Sequence, residues 1–234
     1  MKTGKTGRYF KYAIGEIILV VIGILIALSI NNWNEIRKEA KDELKILSEI
    51  KSDLKHSLKD LKIVLNTNEK DVTRYITLLN YVEQKLPYSA ALDTAFCRIP
   101  SWSSPYLTYT AYESLKMRGA KLLRNDSLRG QIINMFENKM TYIKNDWDKS
   151  EWRDSEAIVM PYYVKHFANN LDEVTAKPNN YDALLEDPEF TNLLRQLIVM
   201  RKWGNRSCTS IIESIEILII SIEKELIHRG YYKN

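Results

Sequence analysis

The chain has 234 residues, with 34 Lys and Arg against 30 Asp and Glu, for a formal net charge of +4. The two signs are interspersed, so there is no basic stripe or patch of the kind that nucleic-acid binding uses, and no nucleic-acid partner is expected. With 8 Gly and 6 Pro in a length that suits one or two domains, the composition favours long helices over a turn-rich β fold. An all-α fold is expected.

The most apolar stretch, YAIGEIILVVIGILIALSI, runs from Tyr12 to Ile30 and carries Glu16 as its one charge. Its length is close to the ~20 residues that a helix needs to cross a ~30 Å hydrocarbon layer. Tyr9, Phe10 and Tyr12 stand at one end and Trp33 at the other, the placement of interfacial aromatic anchors. From Tyr12 to Trp33 the helix rise is roughly 32 Å. Residues 12–33 are therefore expected to form a transmembrane helix, making the lipid bilayer a partner.

A cleaved signal is the rival reading. Lys2, Lys5, Arg8 and Lys11 would form its basic region, Ile17 to Ile26 its core and Ala27-Leu28-Ser29 its cleavage site. Apolar character extends beyond that core on both sides and the helical pattern crosses the cut, which favours an uncleaved anchor. The basic residues before the span have no acidic neighbours outside it, whereas Arg37, Lys38, Lys41 and Lys45 are mixed with acids. The positive-inside rule then puts residues 1–11 in the cytoplasm as a short basic tail and residues 34–234 outside. The start, TGKTG, contains the end of a phosphate-loop signature but lacks the strand and glycine that must precede it.

On a helix Glu16 shares a face with Gly23 and Ala27. Gly23 and Ala27 make a small-xxx-small pair, which lets membrane helices approach closely. Glu16 can mark the boundary of the span, contact a partner helix, or handle an ion or proton.

After Trp33 the helix is expected to continue. Ala40, Leu44, Leu47, Leu54, Leu58, Leu61 and Leu65 form an apolar stripe interrupted by Lys51. Asn66-Thr67-Asn68 could end this helix or be crossed, after which Val72, Tyr75, Ile76, Leu79 and Val82 resume the pattern up to Pro87. Pro87 to Leu107 reads as a loop. Thr110 and Glu113 have the spacing of a capping box, and Gly119 suits the end of that short helix. Asn125 or Asp126 caps a longer one, with Leu128, Ile132, Met135, Phe136, Met140, Ile143 and Trp147 inward, and Pro161 breaks or kinks it. Asn169 to Asp187 contains the next loop. Asp187-Pro188 opens a last helix whose inward face runs through Phe190, Leu194, Leu197, Gly204, Cys208, Ile211, Ile215, Leu218, Ile222 and Leu226 to Gly230. The expected architecture is an N-terminal transmembrane helix continuing into a bundle of long antiparallel amphipathic helices.

The stretch RYFKYAIGEIILVVIGILIALSINNWNEIRK, with the later TYTAYESLKMRGAKLLRNDSLRGQI, resembles an uncharacterised family of Bacteroidota proteins that have one N-terminal span and a helical domain. The resemblance implies a bacterial inner-membrane protein of no established activity, and the orientation argued above would then make residues 34–234 a periplasmic domain. It transfers no catalytic residue.

Direct signs of chemistry are few. His56, His166 and His228 lack the spacing of a metal motif, and no catalytic, cofactor or metal residue is expected. Cys97 and Cys208 could form one disulfide in an oxidising periplasm or remain two buried thiols. NDWDKSEWRD, residues 145–154, gathers acids around Trp147 and Trp152; sugar chemistry uses such sets, but a solvated face with buried tryptophans explains the alternation with Lys149 and Arg153. Trp102, Tyr106, Tyr109 and Tyr112 are candidates for a small-molecule pocket. The expected function is that of a non-enzymatic single-pass membrane protein acting through self-assembly or an envelope partner. The alternatives are a ligand-sensing helical module and an oligomeric ion-handling subunit that uses Glu16.

Overall fold

The computed structural model describes residues 6–171 and 174–233, with side chains for 14–171 and 174–232. Lys2, Gly4 and Lys5 lie outside the described residues, as do the side chains of Arg8, Tyr9, Phe10, Lys11 and Tyr12.

One helix, α1, runs from Thr6 to Glu83. It crosses Asn66-Thr67-Asn68 without a break. The cause is a seam of buried positions alternately four and three residues apart: Glu43, Leu47, Ile50, Leu54, Ser57, Leu61, Val64, Asn68, Asp71, Tyr75, Leu78 and Val82. The last helix, α6 (Pro188–His228), carries the matching series Phe190, Leu194, Leu197, Arg201, Gly204, Cys208, Ile211, Ile215, Leu218 and Ile222. A 3.5-residue repeat keeps two helices face to face over many turns. They run antiparallel, as cross-links from Arg229 to Glu43 (3.0 Å), Lys62 to Glu216 (2.7 Å) and Arg195 to Glu83 (2.8 Å) show.

The stripe expected from leucines alone is displaced by part of a turn. Ala40, Leu44, Leu58 and Leu65 flank the seam half-buried, and Ile76 is exposed. Ile50 and Val64, with polar Ser57, occupy its centre.

Between them lie α2 (Asp93–Arg98), α3 (Thr110–Arg118) and a long helix, α4, at residues 126–166. Asn125 caps α4, accepting from the Leu128 N–H at 3.1 Å, and Asp187 caps α6, accepting from Glu189 N–H at 2.8 Å. The Thr110–Glu113 capping box does not form. Thr110 is already helical and the Glu113 N–H bonds the Tyr109 carbonyl at 2.9 Å, while Asp53 of α1 accepts from the Ala111 N–H at 2.7 Å. One and two turns further along α1, Ser57 accepts from Thr108 N–H (2.9 Å) and Asp60 from Tyr106 N–H (2.6 Å). The loop before α3 is thus stitched to α1 through its backbone donors.

Pro161 does not end α4. The buried residues Phe136, Met140, Ile143, Trp147, Glu151, Ser155 and Val159 are mostly four apart, more than the 3.6 of an α-helix. Three π-helical turns, Asn134–Lys139, Ile143–Asp148 and Ser155–Val159, widen the helix and hold these residues on one face. The last gives the Pro161 ring room, and the helix continues to His166.

The segment expected as a loop from Asn169 holds a short antiparallel pair, β1 (Phe167–Asn169) and β2 (Ala176–Pro178), then α5 (Tyr181–Leu185) capped by Asn180. Phe167 and Ala176 anchor the pair in the core. Apart from it, the described fold is helical, as expected.

The apolar core is in two parts. One joins α1 residues 46–64 with α3, the first half of α4 and the second half of α6. The other joins α1 residues 75–82 with α2, the end of α4, α5 and the first half of α6. Residues 14–36 of α1 belong to neither and are exposed.

Gly204 sits where α6 meets Trp147: a Cβ added there would lie 2.5–2.6 Å from the indole. Replacing Gly by Ala in a helix gains up to ~1 kcal/mol, whereas overpacking costs about 1–3 kcal/mol. Gly204→Ala is therefore expected to lower the melting temperature. In a Trp147→Phe background, where the clashing indole atoms are gone, the same change should cost less in thermal denaturation followed by circular dichroism.

Candidate functional site

The structure offers two places for function, the uncovered part of α1 and a charged layer between the two cores.

In the first, Glu16, Gly23 and Ala27 are all exposed. They are seven and eleven residues apart, whole turns to within about 20°, so they line one face. Nothing lies within 4 Å of a Cβ built on Gly23. The apolar segment from Ile14 is long and apolar enough to cross a membrane, and none of it is buried by the rest of the chain.

The second begins at Asp71, which is fully buried on the α1 seam. Arg98 from α2 grips both its oxygens, Nε at 3.2 Å and Nη2 at 2.8 Å, and Arg74 adds Nη1 at 2.7 Å. The bond to Asp71 raises the Arg98 pKa further above its ordinary value. Tyr75, one turn on, donates its hydroxyl to the Arg98 carbonyl at 2.8 Å, and burial pushes its pKa up to about 12. From α6, buried Arg201 forms an ion pair with Glu151 of α4 and donates from Nη2 to the Ser101 carbonyl at 2.7 Å. Burial opposes the Arg201 charge, but the Glu151 and Asp71 carboxylates favour it and its pKa is raised. Trp147 completes the pair, its Nε1–H donating to Glu151 at 3.2 Å.

The layer is not fully satisfied. Both side-chain atoms of Asn68 and the Nε of Arg201 are buried without a hydrogen-bond partner, and Arg201 Nη1 faces Glu151 as an ion pair outside hydrogen-bond geometry. Beside Arg201 a partly open cavity of about 20 Å³ is lined by Glu151, Ser155 and Trp102 among others, room for about one water.

The aromatic set from the sequence does not form one pocket. Tyr112 is buried and stacked on Phe136 (4.5 Å), Tyr109 meets the same ring edge-on (5.8 Å), and Tyr106 points to solvent. Tyr112 is held there by a hydroxyl bond to Glu137, and burial pushes its pKa up. Trp102 alone lines a cleft, and its partner is Trp152, 5.6 Å away at 80°. Only one tryptophan of NDWDKSEWRD is buried: Trp147 is, Trp152 is not.

Of the two readings open for Cys97 and Cys208, the structure shows two thiols, Cys208 buried and Cys97 half-buried. Cys208 lies in the first core and Cys97 packs against the second, so the two belong to different halves of the domain. Burial pushes the Cys208 thiol up to about 12, which leaves it protonated and unreactive. Among the described residues, no group of three His, Cys, Asp or Glu side chains has the arrangement of a metal site.

Sequence reasoning missed Asp71, Arg98 and Arg201, and it placed Glu151 among the acids of a solvated face, whereas Glu151 is buried against Arg201. The signal was present in the 3.5-residue repeat, where Ser57, Asn68, Asp71 and Arg201 take positions that a strictly apolar reading skips.

The fold and these two places define an all-α protein with one long apolar N-terminal helix and a divided helical core. The chain belongs to a family of unknown function, DUF6090, whose profile matches residues 16–202. No curated protein and no solved structure matches it.

The charged layer predicts strong coupling between its members. Arg201→Met alone strands Glu151 in the core, with an expected cost of about 3–5 kcal/mol. Adding Glu151→Gln removes the stranded charge and should recover at least half of that loss in chemical denaturation of the full chain.

Proposed function

We propose that this is a non-enzymatic single-pass membrane protein, carried in a bacterial inner membrane, that works by assembling with copies of itself or with another envelope protein. In this reading residues 12–33 span the bilayer, the N-terminus is cytoplasmic and the helical domain is periplasmic. The observation that carries it is the uncovered length of α1. The domain closes its own core from Glu43 onward, yet the same helix extends an apolar segment with none of its surface buried. That segment needs lipid or another helix, and the Glu16, Gly23 and Ala27 face supplies small residues for close approach beside a group that gains from a partner.

A ligand-sensing role is the second reading, favoured by one feature. Between Gly23 and the end of α1 at Glu83 there is no glycine or proline, so a shift in the seam is passed along a stiff helix to the apolar segment.

The mass of the full-length protein in mild detergent, measured beside Glu16→Gln, tests the assembly. A discrete oligomer that dissociates in the variant is expected. Two monomers of equal mass would remove Glu16 from any contact and leave the helical domain as the binding part. An intact oligomer that loses only ion conductance would move Glu16 to the ion-handling role.

A further inference from the structure

Trp102 and Trp152 meet at 80° with their centroids 5.6 Å apart, forming the corner of an open cleft of about 590 Å³. Its floor is apolar, with Met160, Pro161 and Val164, and Glu156 is the one charged group in its lining. We propose that this cleft binds a small organic cation whose nitrogen carries alkyl groups, such as a quaternary ammonium. The inference is independent of the assembly described above.

The two indoles are in edge-to-face contact, so the edge of one covers part of the other's face. The corner beside that contact offers a guest the remaining negative π surface, which attracts a desolvated cation. Trp102 is fixed in place. Its Nε1–H donates to Asp148 at 3.1 Å, and the Ser104 hydroxyl donates to the same oxygen at 2.7 Å. A carboxylate accepting from the indole N–H also polarises the ring and makes its face more negative. Trp152 is 55% exposed, so its face is open to a guest. The surrounding stretch of α4 adds to the field: besides Glu151, residues 146–156 hold four carboxylates against Lys149 and Arg153. Arg201, the cation beneath the floor, is paired with Glu151.

The same lining argues against other guests. A sugar or a primary ammonium brings several donors that need acceptors, and burying them unmet is costly. Here the Ser155 hydroxyl already faces the Pro100 carbonyl (3.5 Å), leaving Glu156 to accept. An alkylated nitrogen has no N–H to satisfy. A lipid headgroup is out of reach if the span lies at residues 12–33. The loop carrying Trp102 is tied to α1 at Asp60 and, through Arg98, at Asp71, roughly 40 and 57 Å along the helix from Trp33.

The test is calorimetric titration of the full-length protein in maltoside detergent with three probes: choline, its uncharged isostere in which carbon replaces nitrogen, and an N-acetylated lysine amide. Saturable binding of choline in preference to both others is expected, weakened about tenfold by Trp152→Leu, which keeps the apolar surface and removes the π face. Glu156→Gln should weaken choline and leave the isostere unchanged. The proposal is overturned if the isostere binds as well as choline, if Trp152→Leu has no effect, or if no probe saturates. Tighter binding of the lysine amide would overturn it in favour of a partner protein's side chain. Trp152 and Glu156 are exposed, so both variants should melt like the parent without ligand, which separates lost binding from lost folding.

Discussion

The pairing of α1 with α6 is the constraint on which the rest of the molecule depends. Each helix offers the other a row of buried residues at 3.5-residue spacing, and the shorter helices fill the remaining sides. A seam made only of Leu and Ile would tolerate a slip of one heptad, because each layer would meet another like it. Asp71 and Arg201 remove that freedom. If α6 moved by seven residues, Arg201 would leave Glu151 and the Ser101 carbonyl, with a charge buried among apolar side chains. Buried ion pairs add little net stability, but polar groups at seam positions are well attested as determinants of register.

That layer also divides the core. On α1 the buried members of the first cluster end at Val64 and those of the second begin at Tyr75. On α6 the second ends at Ile198 and the first begins at Cys208. Each half has its own apolar cluster, and the helices that cross the boundary are α1, α4 and α6. Any change in the layer therefore acts on both halves through continuous helices. In α1 the path continues past the apolar core: Arg124 donates to the Ile36 carbonyl at 3.2 Å, and Arg118 meets Asp42 at 3.3 Å. These exposed contacts are individually weak, so stiffness of the helix itself carries the coupling.

Much of this was legible in the sequence, and what was missed has common causes. The long first helix, the Asn125 and Asp187 caps and the inward face of α6 follow from local periodicity and capping chemistry, which act over a few residues. The seam was displaced because Ser57, Asn68 and Asp71 lie at its centre and are satisfied, where they are, by groups far away in the chain. The start of α3 is likewise capped by a distant residue, Asp53, and not by the local Thr110 and Glu113. A backbone donor takes whichever acceptor the tertiary structure brings nearest. The aromatic set failed through sequence proximity. Trp102, Tyr106, Tyr109 and Tyr112 are neighbours in the chain, but the stitches to Ser57 and Asp60 turn them in different directions. The cysteines are separated by the division of the core.

The π turns of α4 join these features. Trp147, Glu151, Trp152 and Ser155 lie within one stretch bounded by two such turns, and wide turns often occur where a helix must serve a site as well as a core. Trp147 and Glu151 belong to the charged layer, Trp152 belongs to the cleft, and Ser155 lines both the cleft and the small cavity beside Arg201. Two more contacts bind the cleft to the layer: Trp102 lines both spaces, and Ser101, its neighbour, gives its carbonyl to Arg201. A guest against the tryptophans would therefore press on the residues that hold Glu151 and Arg201 in register. The physical route from cleft to seam is two residues long, and from the seam it continues along α1.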